Sequence, residues 1–151
     1  MSMNSSQIRN TRYSMRGFTL LEVMVAILVL SIGLLGLAGL MASSLKNSHS
    51  AYLRTQATWF AYDALDRMRA NRTVALASGY NLGLNTAPGG SGLAATDLAE
   101  WDTALTNALP EGDGSITVTP ATRAVTVIVQ WNDTRGTSGG ATEQFRVDTQ
   151  L

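Results

Sequence analysis

Glu22 is the residue near the start of the chain whose type and position most favour a chemical role. It lies just inside a long apolar segment, in which the next charged residue is Lys46 and Ser31 is the one polar side chain between residues 23 and 42. A carboxylate at such a place is costly and by default indicates a function. Among apolar helices it would need a positive partner, because an unpaired buried charge is strongly disfavoured. Gly17 and Phe18 stand directly before this segment.

The apolar segment that positions Glu22 is long enough to cross a membrane. As an α-helix, residues 23–42 would span about 30 Å, which is the thickness of the hydrocarbon core of a bilayer. Arg9, Arg12 and Arg16 precede the segment, and the positive-inside rule would keep them in the cytoplasm. The chain after Ala42 would then lie on the far side of the inner membrane.

Gly17-Phe18-Thr19-Leu20-Leu21-Glu22, followed by the apolar segment, resembles the cleavage and methylation site of type IV prepilins and related pseudopilins. The resemblance covers residues 16–45. It implies that prepilin peptidase cuts after Gly17, that the new N-terminal Phe18 is N-methylated, and that Glu22 guides assembly. Glu22 would pair with the ammonium group of a Phe18, its own or that of a neighbouring subunit. The alternatives are a Glu22 that contacts only lipid headgroups and a Gly17 that only marks a helix boundary.

A looser resemblance, to PilV-type minor pilins, rests on residues 31–37 and 65–72. It implies a structural protein, a minor pilin that takes part in priming, assembly or modification of a type IV pilus. A membrane-anchored enzyme is disfavoured because the sequence contains no catalytic pattern, and no cofactor is expected. The implied partners are prepilin peptidase, other minor and major pilins, and inner-membrane lipid. The alternatives are a minor pseudopilin of a type II secretion system and a module at a filament tip that binds a surface or DNA.

Charge and cysteine content narrow these alternatives. Three of the 11 basic residues lie in residues 1–17, which contain no acidic residue, so the remainder carries 8 basic and 11 acidic residues. An acidic mature chain argues against a nucleic-acid partner. The chain has no cysteine, whereas small exported domains often carry a disulfide. A conventional signal peptide cut near Ala42-Ser43-Ser44 is the competing interpretation of the N-terminus.

The pattern predicts an α+β fold, in which a long N-terminal helix packs on a small antiparallel β-sheet, as in type IV pilins. Its divisions would be a cleaved cytoplasmic leader (1–17), the transmembrane and assembly half of the long helix (18–45), and a periplasmic head (46–151) that includes the amphipathic half. We expect a single-pass protein of the inner membrane that later joins a pilus. Gly33, Gly36 and Gly39 are either weak points of the helix or sites of close helix packing.

Apolar periodicity gives the elements in more detail. The long helix is predicted over 19–77, with Gly79 and Gly83 as stop signals and an inward face at Leu45, Tyr52/Leu53, Phe60, Ala64 and Met68. A second helix is predicted over 96–108, with Leu98, Trp101, Leu105 and Ala108 on one face. After a turn at 110–114, alternating residues predict strands around 116–119, 125–131 and 145–148, with a long hairpin loop at 132–141.

The remaining polar and aromatic residues do not form a catalytic or metal-binding pattern in the sequence. His49, the only histidine, is expected at the surface, and residues 111–114 are expected to form a turn rather than a calcium loop. Asp63 and Asp66 are expected to form ion pairs with Arg67. The basic cluster of Arg67, Arg69 and Arg72 is expected to complement the dipole at the end of the long helix. Trp59, Trp101 and Trp131 are expected to be core or interface anchors.

Overall fold

The computed structural model describes residues 17–151, in which three helices and three strands form an α+β fold. The elements are α1 (Leu20–Ala70), α2 (Arg72–Leu76), α3 (Leu93–Ala108), β1 (Asp113–Thr119), β2 (Ala124–Trp131) and β3 (Glu143–Gln150). The leader predicted for residues 1–17 lies outside the described residues, apart from Gly17, and so do its three arginines. The chain divides into two compact units, Met1–Leu40 and Met41–Leu151.

The first unit contains the apolar beginning of α1. Every side chain from Gly17 to Leu40 is exposed, including large ones such as Leu35, which is 73% exposed. Among the described residues, α1 is the one helix long and apolar enough to cross a membrane, judged by length and composition. A helix suits that setting because it satisfies its own backbone hydrogen bonds without water.

In the second unit, the later half of α1 packs onto the sheet, as predicted, but with a different set of side chains. Leu53, Ala64 and Met68 are buried as expected, whereas Leu45 and Tyr52 are 71% and 57% exposed. Three further residues complete the buried face: Ala57, Ala61 and Leu65. The alanines allow close approach of the helix to the core, and the larger side chains at 45 and 52 point away from it.

The long helix ends earlier than predicted. Residue 71 interrupts it, because Asn71 has non-helical backbone angles (φ −119°, ψ 47°), and α2 follows as a separate short helix. The stop signal is also displaced by one residue: Ser78, not Gly79, adopts the left-handed conformation, with φ 64°. The N–H group of Gly79 donates to the carbonyl of Val74, which closes the helix end with a Schellman-type hydrogen bond.

Helix α3 begins three residues before its predicted start, at Leu93. Leu98, Trp101 and Leu105 are buried as expected, but Ala108 is exposed and Leu109 completes the apolar face. The Nε1–H group of Trp101 donates to the Phe60 carbonyl at 2.9 Å and so joins α3 to α1.

The three predicted strands are present and form one antiparallel sheet in the order β1-β2-β3. Strand β1 begins at Asp113, so the predicted turn at 110–114 is shorter than expected. The inward residues of β2 (Val125, Val127, Val129 and Trp131) are buried. Gly114 lies against the ring of Trp101, where a Cβ atom would clash, so β1 can approach α3 closely only with glycine there.

Strand β3 forms one edge of the sheet, and a charged pair lies on its outer face. The Arg146 guanidinium donates two hydrogen bonds of 2.8 Å to the Asp148 carboxylate, and the Thr126 hydroxyl on β2 donates a third at 2.7 Å. The Arg146 bonds, followed by that of Thr126, lower the pKa of Asp148 from 3.8 to about 2. Charged side chains of this kind protect an edge strand from pairing with other chains.

We expect this pair to make stability depend on acid pH. Because folding lowers the pKa of Asp148, its contribution is complete above about pH 4 and is lost as the pH falls towards about 2. The pair is exposed, so the effect is small. Thermal unfolding of wild type and Asp148→Asn should differ near neutral pH and converge at about pH 2. A difference that persists unchanged at low pH would contradict this assignment.

Candidate processing and assembly site

The predicted processing residues lie in non-helical chain immediately before α1. Gly17, Phe18 and Thr19 have no regular secondary structure, and the helix begins at Leu20. Phe18 is 84% exposed, and a Cβ atom at Gly17 would have no atom of the described chain within 4 Å beyond its chain neighbours. The peptide bond between Gly17 and Phe18 is therefore in an exposed, non-helical segment, which is a geometry that an enzyme can reach.

Glu22 lies in the first turn of the helix, one turn after this bond. Its backbone N–H group donates to the Thr19 hydroxyl at 3.2 Å, and the Val23 N–H group donates to the Thr19 carbonyl at 3.2 Å. The Glu22 side chain is exposed. A carboxylate in the first turn is favoured by the positive end of the helix dipole. From this exposed position it can form an ion pair with a cation outside the helix.

In α1 after Glu22, the next charged residue is Lys46, which is basic, so no other nearby carboxylate competes with Glu22 for that cation. The Ser31 hydroxyl donates to the carbonyl of Ile27 at 2.7 Å and so is satisfied within its own helix. Helix α1 continues without interruption through Gly33, Gly36 and Gly39, where a Cβ atom would meet no neighbour.

The aromatic and histidine candidates separate into core and surface residues. His49 is exposed, as predicted. Trp101 and Trp131 are 1% and 2% exposed and belong to the core, whereas Trp59 is 65% exposed on the outer side of α1. Of the two roles predicted for the tryptophans, the core role is confirmed for Trp101 and Trp131, and the interface role stays a prediction for the exposed Trp59.

The ion pair predicted between Arg67 and Asp63 is present at the end of α1, whereas Asp66 pairs with Arg69 and not with Arg67. Arg67 contacts Asp63 at 3.0 Å, and Arg69 contacts Asp66 at 2.8 Å. Arg72 instead donates to the backbone oxygen of Leu151 at 2.8 Å. In the predicted turn at 111–114, the Glu111 carboxylate accepts a hydrogen bond from Asn132 and the Asp113 carboxylate accepts one from the Asn85 N–H group.

A polar network between α1 and α3 is not predictable from the sequence pattern. Arg67 also contacts Asp97 at 3.5 Å and Glu100 at 3.1 Å, both on α3. The hydroxyl of Tyr80, which is 1% exposed, donates to the Asp97 carboxylate. Burial, followed by this hydrogen bond, raises the pKa of Tyr80. Asp97 and Glu100 therefore join two helices.

A buried carboxylate in the hairpin loop is also not predictable from the sequence. Asp133 is 1% exposed, and its Oδ1 atom accepts a hydrogen bond of 3.0 Å from the Ser50 hydroxyl on α1. Its Oδ2 atom has no hydrogen-bond partner among the described residues. The N–H group of Gly136 donates to the Asp133 carbonyl. An aspartate that follows an asparagine in a polar loop has no sequence signal for burial, so only the folded loop could identify it.

Comparison with known proteins bears on the beginning of the chain. Residues 12–38 match the family model described as the prokaryotic N-terminal methylation motif. No curated protein and no solved structure matches the chain. The matched residues include Gly17, Phe18 and Glu22 and the first part of the apolar helix. This match, together with the fold, supports a structural protein of the type IV prepilin or pseudopilin kind that is anchored in a membrane.

Proposed function

We propose that this protein is a minor pilin. Prepilin peptidase would remove residues 1–17, Phe18 would be N-methylated, and the processed chain would help to prime, assemble or modify a type IV pilus. Before assembly, the chain would cross the inner membrane once, with residues 18–45 in the bilayer and residues 46–151 as the periplasmic head. Other minor and major pilins would be its partners.

One observation carries this proposal: the Gly17–Phe18 bond is exposed and non-helical directly before a capped apolar helix that carries the methylation motif. Cleavage there would create an ammonium group at Phe18, one helical turn from the Glu22 carboxylate. A cation near that carboxylate is what a glutamate among apolar helices requires. The pair would set the register between subunits.

The outer face of α1 offers a surface for the partner pilins. Leu45, Tyr52 and Trp59 follow one another at seven-residue intervals and are all more than half exposed. At this spacing they share one face of a helix, opposite the face buried against the sheet. Exposed aromatic residues are enriched where proteins bind one another. We assign this face, defined by Leu45, Tyr52 and Trp59, to contact with a helix of another pilin.

A minor pseudopilin of a type II secretion system is the second candidate, since the same N-terminal motif suits both machines. The small head favours an accessory subunit in either case. The head contains no cysteine, and its three-stranded sheet leaves β3 as an edge. The number of copies in sheared filaments distinguishes an accessory subunit from a bulk subunit, because a bulk subunit would make up most of the mass of the filament.

Two measurements test the proposal: the identity of the N-terminal residue of the protein extracted from membranes, and its co-purification with partner pilins. We expect mass spectrometry to find a chain that begins with methylated Phe18. Glu22→Ala and Glu22→Gln should both be processed, yet should fall about tenfold or more in co-purification with partner pilins, because each leaves the Phe18 ammonium unpaired. An N-terminus at another residue would refute the processing role.

Ser31→Ala is the matched control for the Glu22 variants. It removes a polar side chain from the same apolar helix, and that side chain bonds only to its own helix. We expect it to assemble like wild type. If Glu22→Gln assembles as well as this control, the charge of Glu22 is dispensable and the pairing with Phe18 is wrong.

A further inference from the structure

Thr19 occupies the N-cap position of α1. It is the last residue before the helix, its carbonyl accepts from Val23, and its hydroxyl accepts from the Glu22 N–H group at 3.2 Å. Thr19-Leu20-Leu21-Glu22 has the spacing of a capping box, in which a threonine and a glutamate three residues later satisfy the end of a helix. The structure contains the hydrogen bond to the threonine side chain.

Phe18 and Val23 stand at the two positions of a hydrophobic staple, which fixes the direction of the chain as it enters a helix. The staple joins the residue before the N-cap to the fourth residue of the helix. Both side chains, with Glu22, line the same shallow depression on the surface of α1. The capping box and the staple therefore overlap the residues that the processing motif contains.

These contacts determine where the helix begins, and so which bonds lie outside it. An N-cap residue has a non-helical backbone, which leaves the bond between Gly17 and Phe18 outside α1. Without the Thr19 hydroxyl, the Glu22 N–H group loses its acceptor, whereas the Val23 N–H group keeps the Thr19 carbonyl. The Glu22 N–H group can regain an acceptor if the helix extends towards the N-terminus through Phe18 and Gly17, because each N–H group within a helix bonds to the carbonyl four residues earlier. The Gly17–Phe18 bond would then lie in helical backbone.

We propose that Thr19 is a positioning residue for leader removal. Its hydroxyl makes α1 begin at Leu20 and keeps the Gly17–Phe18 bond in non-helical chain, which a peptidase can bind. Glycine at position 17 acts in the same direction, because it is a poor helix former. This inference rests on the proposed function, since it concerns the efficiency of the proposed cleavage.

The test compares side chains that separate hydrogen bonding from shape at residue 19. Thr19→Val keeps the shape of threonine without the acceptor, whereas Thr19→Ser and Thr19→Asn keep an acceptor and change the shape. Each full-length chain is placed in membranes with prepilin peptidase, and the rate of leader removal is followed by mass. We expect Thr19→Val to be cleaved about fivefold more slowly, the factor that corresponds to the typical loss of about 1 kcal/mol at an N-cap.

The serine and asparagine variants should be cleaved within about twofold of wild type, because both residues are good N-caps. Amide hydrogen exchange at Phe18 should be slower in Thr19→Val than in Thr19→Ser, as the helix extends over it. The proposal is overturned if Thr19→Val is cleaved as fast as wild type. It is equally overturned if Thr19→Ser and Thr19→Asn are cleaved as slowly as Thr19→Val, since the peptidase would then recognise the shape of threonine. If the wild-type chain is not cut after Gly17, the proposed function itself fails.

Discussion

Replacing Gly17 with valine should leave the leader attached. Among the described residues there is open space around this position, since a Cβ atom there would meet nothing within 4 Å beyond its chain neighbours. The substitution therefore has no steric cost within the described part of the protein, and its effect falls on the encounter with the peptidase. We expect the peptidase to have no room for a branched side chain at this position, and leader removal should then fall by about 100-fold, the loss that follows when reacting groups are misplaced by about 1 Å.

Gly33→Val is the control for this prediction, because Gly33 also has open space around it in the same segment of chain. It should be processed at the wild-type rate. Both variants are followed by mass spectrometry of membrane extracts, which resolves the chain with and without its leader. A Gly17→Val protein that begins with methylated Phe18 would contradict the assignment of the cleavage site.

Replacing Trp101 with alanine should have the largest effect on the stability of the second unit. Its side chain is 1% exposed, donates to the Phe60 carbonyl at 2.9 Å, and lies against Gly114 of β1. The substitution leaves a cavity where α3, α1 and β1 meet and removes a hydrogen bond. Truncation of a buried tryptophan typically costs about 3–5 kcal/mol, which is a large part of the stability of a small domain.

Trp59→Ala removes the same kind of side chain from an exposed position on α1, since Trp59 is 65% exposed. We expect its free energy of unfolding to stay within about 0.5 kcal/mol of wild type. Denaturant unfolding of the full chain in detergent, followed by circular dichroism so that the signal does not depend on which tryptophan is missing, compares the two variants. Equal stability of Trp101→Ala and Trp59→Ala would show that the Trp101 contacts contribute little.

The strands are predictable because alternation along a strand is a short-range pattern. Val125, Val127 and Val129 alternate with polar or outward residues, and all three are buried. The inward face of α1 is harder to predict because large apolar residues lie on both sides of the helix. The pattern places Leu45 and Tyr52 in the core, but the sheet packs against the side that carries Ala57 and Ala61. Alanine gives only a weak apolar signal, so the pattern favours the larger side chains.

Sequence patterns do not predict polar contacts between residues that lie far apart in the chain. Asp133 meets Ser50 across 83 positions of the chain, and Arg67 meets Glu100 across 33. Nothing in the residues around Asp133 marks it for burial, because its environment is made by the loop folding against α1. The left-handed conformation of Ser78 differs from the prediction for a local reason: glycine is the usual residue in that conformation at a helix end, so the pattern favours Gly79.

The sequence by itself determined the N-terminal segment: the methylation motif, the apolar helix and, to within one residue, the place where that helix begins. These features depend on neighbouring residues, because a helix satisfies its backbone groups internally and Thr19 caps it from the adjoining turn. Only the tertiary structure decided which face of α1 is buried, how the strands are ordered, and which carboxylates contact residues of another element. Those outcomes depend on contacts between residues far apart in the chain, which pack together only when the whole core forms.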